Sequence, residues 1–293
     1  MTKLQKKQMN FKAKLKKIML CILSIFRRKN ITYLTIKEVA HSELLNKRVA
    51  LITGGGSGIG KAIAKTFVES GAFVIIAGRN EERLKEAKEE IDNNVYTLQL
   101  DTTDISNIPE KIKEVERLLG GKAIDILINN AGVSGGEIST TNEKEFDKII
   151  ETNIKGTFFM SKYLGEYMRD KGIKGNILNI ASSSSLRPAT SAYNISKWGI
   201  RGFTIGLARL LAPYGITVNG IAPGPTATSM MTKDNKGDMS KPNSLIKRWI
   251  MPEEIANMAV FLVSDMGRSI VGDIVYMTGG AGNVSNEDIS YNF

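Results

Sequence analysis

The sequence predicts one α/β domain over residues 48–293, a doubly wound parallel sheet of about seven strands with helices on both faces, preceded by a basic amphipathic extension and linker at residues 1–47. Three observations carry that expectation. From Arg48 onward, short apolar runs of strand type alternate with longer stretches of helical period, and such alternation with right-handed crossovers gives a parallel sheet covered by helices. A turn with five glycines, between Gly54 and Gly60, separates the first strand from the first helix. The polar clusters of the chain fall just after strands, at the edge where open parallel sheets bind their ligands.

Taken in order, residues 48–53 form a β-branched run, and a helical pattern opens at Lys61 with Ala62, Ile63, Phe67 and Val68. Residues 73–78 read as a second strand, 81–91 as a charged helix, 95–100 as a third strand and 108–119 as a helix. A fourth strand at 124–129 is followed by one long helical stretch, 143–168, and a fifth strand at 176–181 by a helix over 192–212. A sixth strand at 216–221, a helix at 252–264 and a strand at 273–277 close the series. No linker or internal repeat divides this region.

Composition removes several classes of chemistry. The net charge of +10 resides in residues 1–30, which carry ten Lys or Arg and no acid, against 30 basic and 30 acidic residues in the remainder. A neutral body makes specific nucleic-acid binding an unexpected function. The single cysteine, Cys21, allows no intramolecular disulfide and suits a reducing compartment, and the single histidine, His41, lies in the linker. A Ser-His-Asp triad or a histidine-rich metal site is therefore not expected.

The glycine turn is the first candidate site. Glycines let the backbone adopt positive φ and let an anion approach it, while the free N–H groups of the following helix attract phosphate. A phosphorylated cofactor is expected there. The nucleotide P-loop pattern fails because Ala62 stands where the metal-binding hydroxyl belongs, and Gly-x-Gly-x-x-Gly fails in every register. Thr-Gly-x3-Gly-x-Gly fits, through Thr53, Gly54, Gly58 and Gly60. Further clusters follow later strands: Asp101 and Thr102, Asn129 to Gly132, Ser182 to Ser185, and Pro223 to Thr228. Tyr193 and Lys197, four residues apart, share one face of a helix. An ammonium beside a phenol favours its ionised form, so such a pair can work as acid or base.

The glycine turn, Asp101, the Asn-Asn-Ala-Gly segment, Asn153 with Gly156, Tyr193 with Lys197, and Asn219 with Pro223-Gly224 stand in an order that resembles the classical short-chain dehydrogenase/reductase family, Rossmann-like oxidoreductases that use nicotinamide cofactors. The resemblance covers about 240 residues. It implies hydride transfer between nicotinamide and a small-molecule carbonyl or secondary alcohol. In those roles Tyr193 exchanges the proton, Lys197 supports Tyr193 and binds the nicotinamide ribose, a serine polarises the carbonyl oxygen, and Asn153 holds a water linking Lys197 to solvent. The implied cofactor set comprises Thr53, Gly54, Ser57, Gly58, Ile59, Gly60, Arg79, Asp101, Thr102, Asn130, Ala131, Gly132, Tyr193, Lys197, Pro223, Gly224, Thr226 and Thr228. No metal is implied. Homo-oligomerisation through the helices around Asn153 and Tyr193 is implied as well.

Two positions depart from or refine that pattern. The family often places its serine thirteen residues before the tyrosine, where this chain has Ile180; alignment on the fifth strand selects Ser182, with Ser183 and Ser184 in reserve and a preceding loop two residues shorter. At the end of the second strand Gly78 stands where an acid would bind a ribose 2′-hydroxyl, and Arg79 follows. A guanidinium grips phosphate, so NADP(H) is expected over NAD(H). The stretch 226–245, with Met230, Met231, Lys233, Lys236 and Lys241, corresponds to the family's mobile substrate lid.

A function of another class, a non-catalytic dinucleotide-sensing regulator, would not need the acid-base residues. In residues 1–26, Leu4, Phe11, Leu15, Ile18, Ile22 and Ile25 form a helical stripe beside Lys12, Lys14, Lys16 and Lys17. The apolar run 18–26 is too short to span a bilayer. The expected location is the cytoplasm, with this segment making peripheral contact at the inner membrane surface.

Overall fold

The computed structural model describes residue 19 and residues 40–92, 95–228, 239–241 and 244–280. The amphipathic stripe of residues 1–26, apart from residue 19, lies outside the described residues, as do Met230, Met231, Lys233 and Lys236.

Seven strands form one parallel sheet: β1 (Val49–Thr53), β2 (Phe73–Gly78), β3 (Val95–Gln99), β4 (Ile126–Asn129), β5 (Asn176–Ile180), β6 (Thr217–Pro223) and β7 (Ile274–Met277). Their order is β3-β2-β1-β4-β5-β6-β7. The chain steps outward from β1 to β3, returns, and builds the other half from β4, so the winding reverses between β1 and β4. Such a reversal opens a crevice at the carboxyl edge.

The helices are α1 (Gly58–Glu69), α2 (Glu81–Ile91), α3 (Ile108–Leu118), α4 (Glu143–Ile150), α5 (Thr157–Asp170), α6 (Ala192–Leu211) and α7 (Pro252–Val263). Alternation along β1 sorts the core into two layers. Ala50 and Ile52 pack with Ile63 and Phe67 of α1 and Ile255 and Val260 of α7; Val49 and Leu51 pack with Val115 of α3, Leu164 and Met168 of α5 and Ala208 of α6. Both faces are covered, which is why the strands read as continuous apolar runs. Burying each Ile, Leu or Phe contributes about 1.5–3 kcal/mol as an upper figure.

The structure moves several boundaries. Helix α1 begins at Gly58, three residues before the expected start. A side chain at Gly60 would put its Cβ 2.4 Å from the Gly54 carbonyl oxygen, so only glycine lets the helix begin this close to the turn. The expected helix over 143–168 is α4 and α5 joined by a π-helical turn, Glu151–Gly156. Residues 40–47 belong to the same compact unit as the sheet. Leu45, assigned by sequence to the linker, is fully buried in the layer with Phe67, and its N–H donates to the Ser70 carbonyl at 2.8 Å.

The amino edge of the sheet is tied by one residue. The Arg48 guanidinium pairs with Asp125 and donates to Asn176 Oδ1 at 2.6 Å and the Val263 carbonyl at 3.2 Å. Asp125 Oδ1 accepts from the Val49 N–H at 2.8 Å, and Asn176 Nδ2 donates to Thr217 Oγ1 at 2.6 Å. The starts of β1, β5 and β6, the residue before β4, and the end of α7 are thereby joined.

Candidate active site

Two of the predicted clusters form one unit. Thr53 closes β1 with a hydroxyl that donates to the Ile128 carbonyl at 3.2 Å and accepts from the N–H groups of Asn130 and Ala131 at 3.0 and 3.1 Å. Asn130 Nδ2 donates back to the carbonyls of Thr53 and Gly54 at 3.0 and 3.1 Å. These bonds lock the glycine turn to the end of β4. Gly54 and Gly58 hold φ of +64° and +55°, the left-handed region that glycine enters without strain. Ser57 occupies the N-cap of α1 but makes no capping hydrogen bond, so its side chain leaves the first N–H groups of that helix open; Ile59 packs against the core beneath.

The segment after β6 curls over this turn. A Cβ at Gly58 would lie 3.3 Å from Thr228 Cγ2, and Thr226, buried, donates its hydroxyl to the Gly224 carbonyl at 2.9 Å. Gly224 itself abuts Thr278, where a Cβ would come within 2.8 Å of the main chain. The cradle is thus walled by residues 223–228, which approach it closely at Gly58, while the first N–H groups of α1 stay uncapped, a fit for a phosphorylated dinucleotide.

At the end of β2, Arg79 is exposed and forms no ion pair among the described residues. A Cβ at Gly78 would meet only Leu84 Cδ2 at an ordinary 3.6 Å, so the missing carboxylate is not a consequence of crowding. Lys61, a further candidate for phosphate, pairs with Glu90 at 2.5 Å instead. Asp101 Oδ1 accepts from the N–H and hydroxyl of Thr103, both at 2.9 Å, which fixes the turn after β3. Thr102 is buried against the π turn: a Cβ at Gly156 would sit 2.7 Å from its Oγ1.

The acid-base group gathers on α6. Ser191 caps that helix by accepting from the Asn194 N–H at 3.1 Å, which places Tyr193 in its first turn. Lys197 is 7% exposed; its Nζ donates to the Ile180 carbonyl at 2.9 Å and lies 5.6 Å from the Tyr193 ring centroid. One hydrogen bond fixes the ammonium, which has three donors in all. Gly132 keeps the space in front clear, since its Cβ would be 3.8 Å from Lys197 Nζ and 3.3 Å from Asn153 Oδ1.

Asn153, 2% exposed, sits in the π turn, a departure from α-helix common at functional sites. Its Oδ1 accepts from the Val133 N–H at 2.8 Å, and its Nδ2 donates to the Val133 carbonyl at 2.9 Å and Ser196 Oγ at 3.0 Å. Both amide hydrogens are engaged, so a water at this residue would be held by an oxygen acting as acceptor. Ser182 Oγ accepts from the Ser184 N–H at 3.1 Å and leaves its own proton to donate, here towards Ser184 Oγ at 3.2 Å. Ser183 is also buried, while Ser184 is half-buried.

Sequence reasoning missed the layer beneath. Asn129 Nδ2 donates to Ser161 Oγ and Asn179 Oδ1 at 2.8 and 2.9 Å, and Asn179 Nδ2 to Thr204 Oγ1 at 2.9 Å, a buried chain joining β4, β5, α5 and α6. The available signal was Asn179 inside an otherwise apolar strand, since a buried amide needs partners on the neighbouring elements.

Residues 48–239 match the short chain dehydrogenase family. The chain is 34% identical over 255 residues to a 3alpha-hydroxysteroid dehydrogenase of Mediterraneibacter gnavus, covering 81% of this chain and 98% of the relative. It is 36% identical over 242 residues to an NAD-dependent glycerol dehydrogenase of Listeria innocua, covering 80% and 94%. Among solved structures, an actinorhodin polyketide ketoreductase with NADPH superposes with a TM-score of 0.73 at 28% identity, covering 81% of this chain and 98% of the other.

Proposed function

This chain belongs to the classical short-chain dehydrogenase/reductase family, and we propose that it is an NADP(H)-dependent carbonyl reductase or alcohol dehydrogenase in which Tyr193 exchanges the proton. Membership makes it an NAD(P)-dependent oxidoreductase with a small-molecule substrate. The finer reading rests on the juxtaposition of a buried Lys197 with Tyr193 beside the carboxyl end of β5, where Ser182 stands.

A nicotinamide dinucleotide would be held by the glycine turn, Asp101 and Thr102, Asn130 to Gly132 and residues 223–228, and would supply or accept the hydride. The chain's own residues do the rest. Ser182, held as acceptor by the Ser184 N–H, donates its proton to a carbonyl oxygen and stabilises charge developing there. Tyr193 gives up its phenolic proton in reduction and receives one in oxidation. Lys197 places positive charge beside the oxygen left negative when that proton departs, and the Ile180 carbonyl fixes its direction. Asn153 holds Val133 and Ser196 in register with α6. A non-catalytic sensor would need none of these four residues in this arrangement.

NADPH oxidation by the purified protein across a panel of ketones, aldehydes and β-keto esters tests the reading, with NADPH binding by fluorescence as the control. Turnover that disappears in Tyr193→Phe while cofactor binding persists is expected; binding without turnover across the panel in the unaltered protein would overturn it. The preference for NADP(H) is supported by the exposed Arg79, which forms no ion pair among the described residues, and by the vacant acid position at Gly78.

Two assembly properties belong to the proposal. The outer faces of α5 and α6 expose Phe158, Ile195, Trp198 and Ile205, between 40% and 51% each, an apolar surface suited to a second copy of the chain. Sedimentation at micromolar concentration is expected to show a dimer or larger, and Ile205→Glu to release monomer. No described helix is long and apolar enough to cross a membrane. Peripheral contact of a cytoplasmic enzyme through residues 1–26 is tested by flotation with anionic liposomes. Because Leu45 lies in the core, the shortened comparison chain starts at Ala40; flotation that does not depend on residues 1–39 would rule the contact out.

A further inference from the structure

We propose that Arg201 and Tyr276 are positioning residues that set the active-site serine loop, acting on Ser182 through Ser185. The inference rests on the reading of Ser182 as the carbonyl-polarising group and names what holds it. Ser182 ends an extended segment at φ −167° and opens a single 3-10 turn, Ser183–Leu186, that must bring the chain back to α6 across a short connection. Only ten residues lie between Ser182 and Tyr193. A loop with so little slack and two of its own hydroxyls in local bonds needs an external anchor if Ser182 is to keep one direction.

Ser185 is that anchor point. It is fully buried, and both its N–H and its Oγ donate to the Ser182 carbonyl, at 3.0 and 2.7 Å. A hydroxyl has one proton, and this one is already given to Ser182. The 3.3 Å contact between Ser185 Oγ and Tyr276 Oη can therefore run in one direction only, with the phenol donating. The result is a directed chain, Tyr276 hydroxyl to Ser185 hydroxyl to Ser182 carbonyl, in which each bond polarises the next. Arg201 holds the opposite side of the same residue: its Nη1 donates to the Ser185 carbonyl at 3.1 Å. Its guanidinium is itself held by two rings, Trp198 at 5.2 Å and Tyr276 at 5.9 Å from their centroids. Tyr276 thus serves twice, through its hydroxyl on Ser185 and through its ring on Arg201.

The clamp joins three elements that the reaction needs in register. Tyr276 lies on β7, Arg201 on α6 two turns beyond Tyr193, and Ser185 in the loop after β5. A shift of Ser182 relative to Tyr193 would have to break the clamp.

The test has a structural and a kinetic arm, in Arg201→Leu and Tyr276→Phe. Hydrogen exchange followed by mass spectrometry should show the amides of Ser184, Ser185 and Arg187 exchanging roughly tenfold faster in each variant, while those of β1 and β4 keep their protection and NADPH affinity is unchanged. Equal exchange in variant and unaltered protein would overturn the proposal without any substrate being known. In the kinetic arm, read as NADPH oxidation with the β-keto ester ethyl acetoacetate or with cyclohexanone, kcat should fall about tenfold in Arg201→Leu with little change in KM, and Arg201→Lys should recover part of the loss. The same changes made in a Ser182→Ala background should cost nothing further, because residues acting through one group are not additive with its removal. A full additional loss in that background would overturn the clamp. Undiminished activity of Ser182→Ala alone would instead remove the reading of Ser182 on which it rests.

Discussion

The two edges of the sheet use similar residues to opposite ends. At the amino edge Arg48, Asp125, Asn176 and Thr217 are bonded to one another, with the Arg48 guanidinium engaging a carboxylate, an amide and a carbonyl. At the carboxyl edge Lys197 has, among the described residues, one acceptor for three donors, and Ser182 is held as an acceptor while its own proton is directed only at the neighbouring Ser184 hydroxyl at 3.2 Å. A basic residue whose bonds run to the ends of several neighbouring elements joins them; one fixed from behind, with glycine in front of it, can act on a ligand. The difference lies in which hydrogen-bonding capacity the fold leaves unused, and residue type alone does not reveal it.

The largest expected effect falls on the carboxyl edge alone. Tyr193→Phe removes the oxygen that in the proposed role exchanges the proton, and kcat should fall about a thousandfold, within the usual range for a lost acid-base group. The thermal midpoint should stay where it was. A midpoint that collapses along with the rate would show that Tyr193 holds structure and would erase the contrast between the edges.

The reverse experiment is made at Asp125. Asp125→Ala leaves Arg48 without its counter-charge and the Val49 N–H without its side-chain acceptor. The two side chains keep 23% and 21% of their exposure, so solvent softens the cost, and a loss of about 2 kcal/mol is expected rather than the larger figure for a fully buried pair. The midpoint should drop by roughly 5 °C, while kcat of the folded enzyme is unchanged. Altered kcat at a midpoint like that of the unaltered protein would mean that the amino edge reports to the site.

Much of this division was legible in the chain. Strand-helix alternation fixed the sheet because strands buried on both faces are apolar along their length, and Tyr193 with Lys197 share a face at any α6 boundary. What sequence could not show was irregular backbone. The apolar period of residues 143–168 continues through Glu151–Gly156, and the π turn there is met by contacts from outside it, Val133 and Ser196 on Asn153 and Thr102 on Gly156, which no local pattern displays. Leu45 looked like linker because it precedes the first strand, yet a single leucine docking on α1 needs no periodic pattern around it. The joint role of Ser185, Arg201 and Tyr276 carries no local signal: Arg201 meets Ser185 across sixteen residues once α6 packs beside the serine loop, and Tyr276 reaches Ser185 only when β7 comes beside β6.

A smaller effect is expected at Arg79. Its guanidinium is exposed and without an ion pair among the described residues, so Arg79→Ala should leave stability alone and weaken NADPH binding by about tenfold, the lower end for a charged hydrogen bond. NADH affinity should be unchanged. Equal losses for both cofactors would show that Arg79 reads no 2′-phosphate.

The smallest effect sharpens the comparison from the other side, because the carboxyl edge also contains an ion pair whose function is structural. Glu254, in the first turn of α7, accepts from both Nη atoms of Arg248 at 2.6 and 2.9 Å and from the Met251 N–H at 2.8 Å. The Arg248 fork is the main cause, with the Met251 bond second, of a Glu254 carboxyl held down at about 2 against an ordinary 4.5. A carboxylate whose folded value is depressed contributes stability that is complete above the unfolded value and disappears as pH falls through the folded one. The contribution of Glu254 is therefore whole at pH 6 and declines from about 4.5 towards about 2. The pair is 47% and 40% exposed, so its worth is discounted for solvent, and Glu254→Gln should lower the midpoint at pH 6 by only about 2 °C. Melting curves of both proteins between pH 6 and pH 3 should show that gap narrowing with acid. A gap that holds constant or widens towards pH 3 would mean that the charge of Glu254 contributes nothing to the fold, and that the fork serves some end other than anchoring the start of α7.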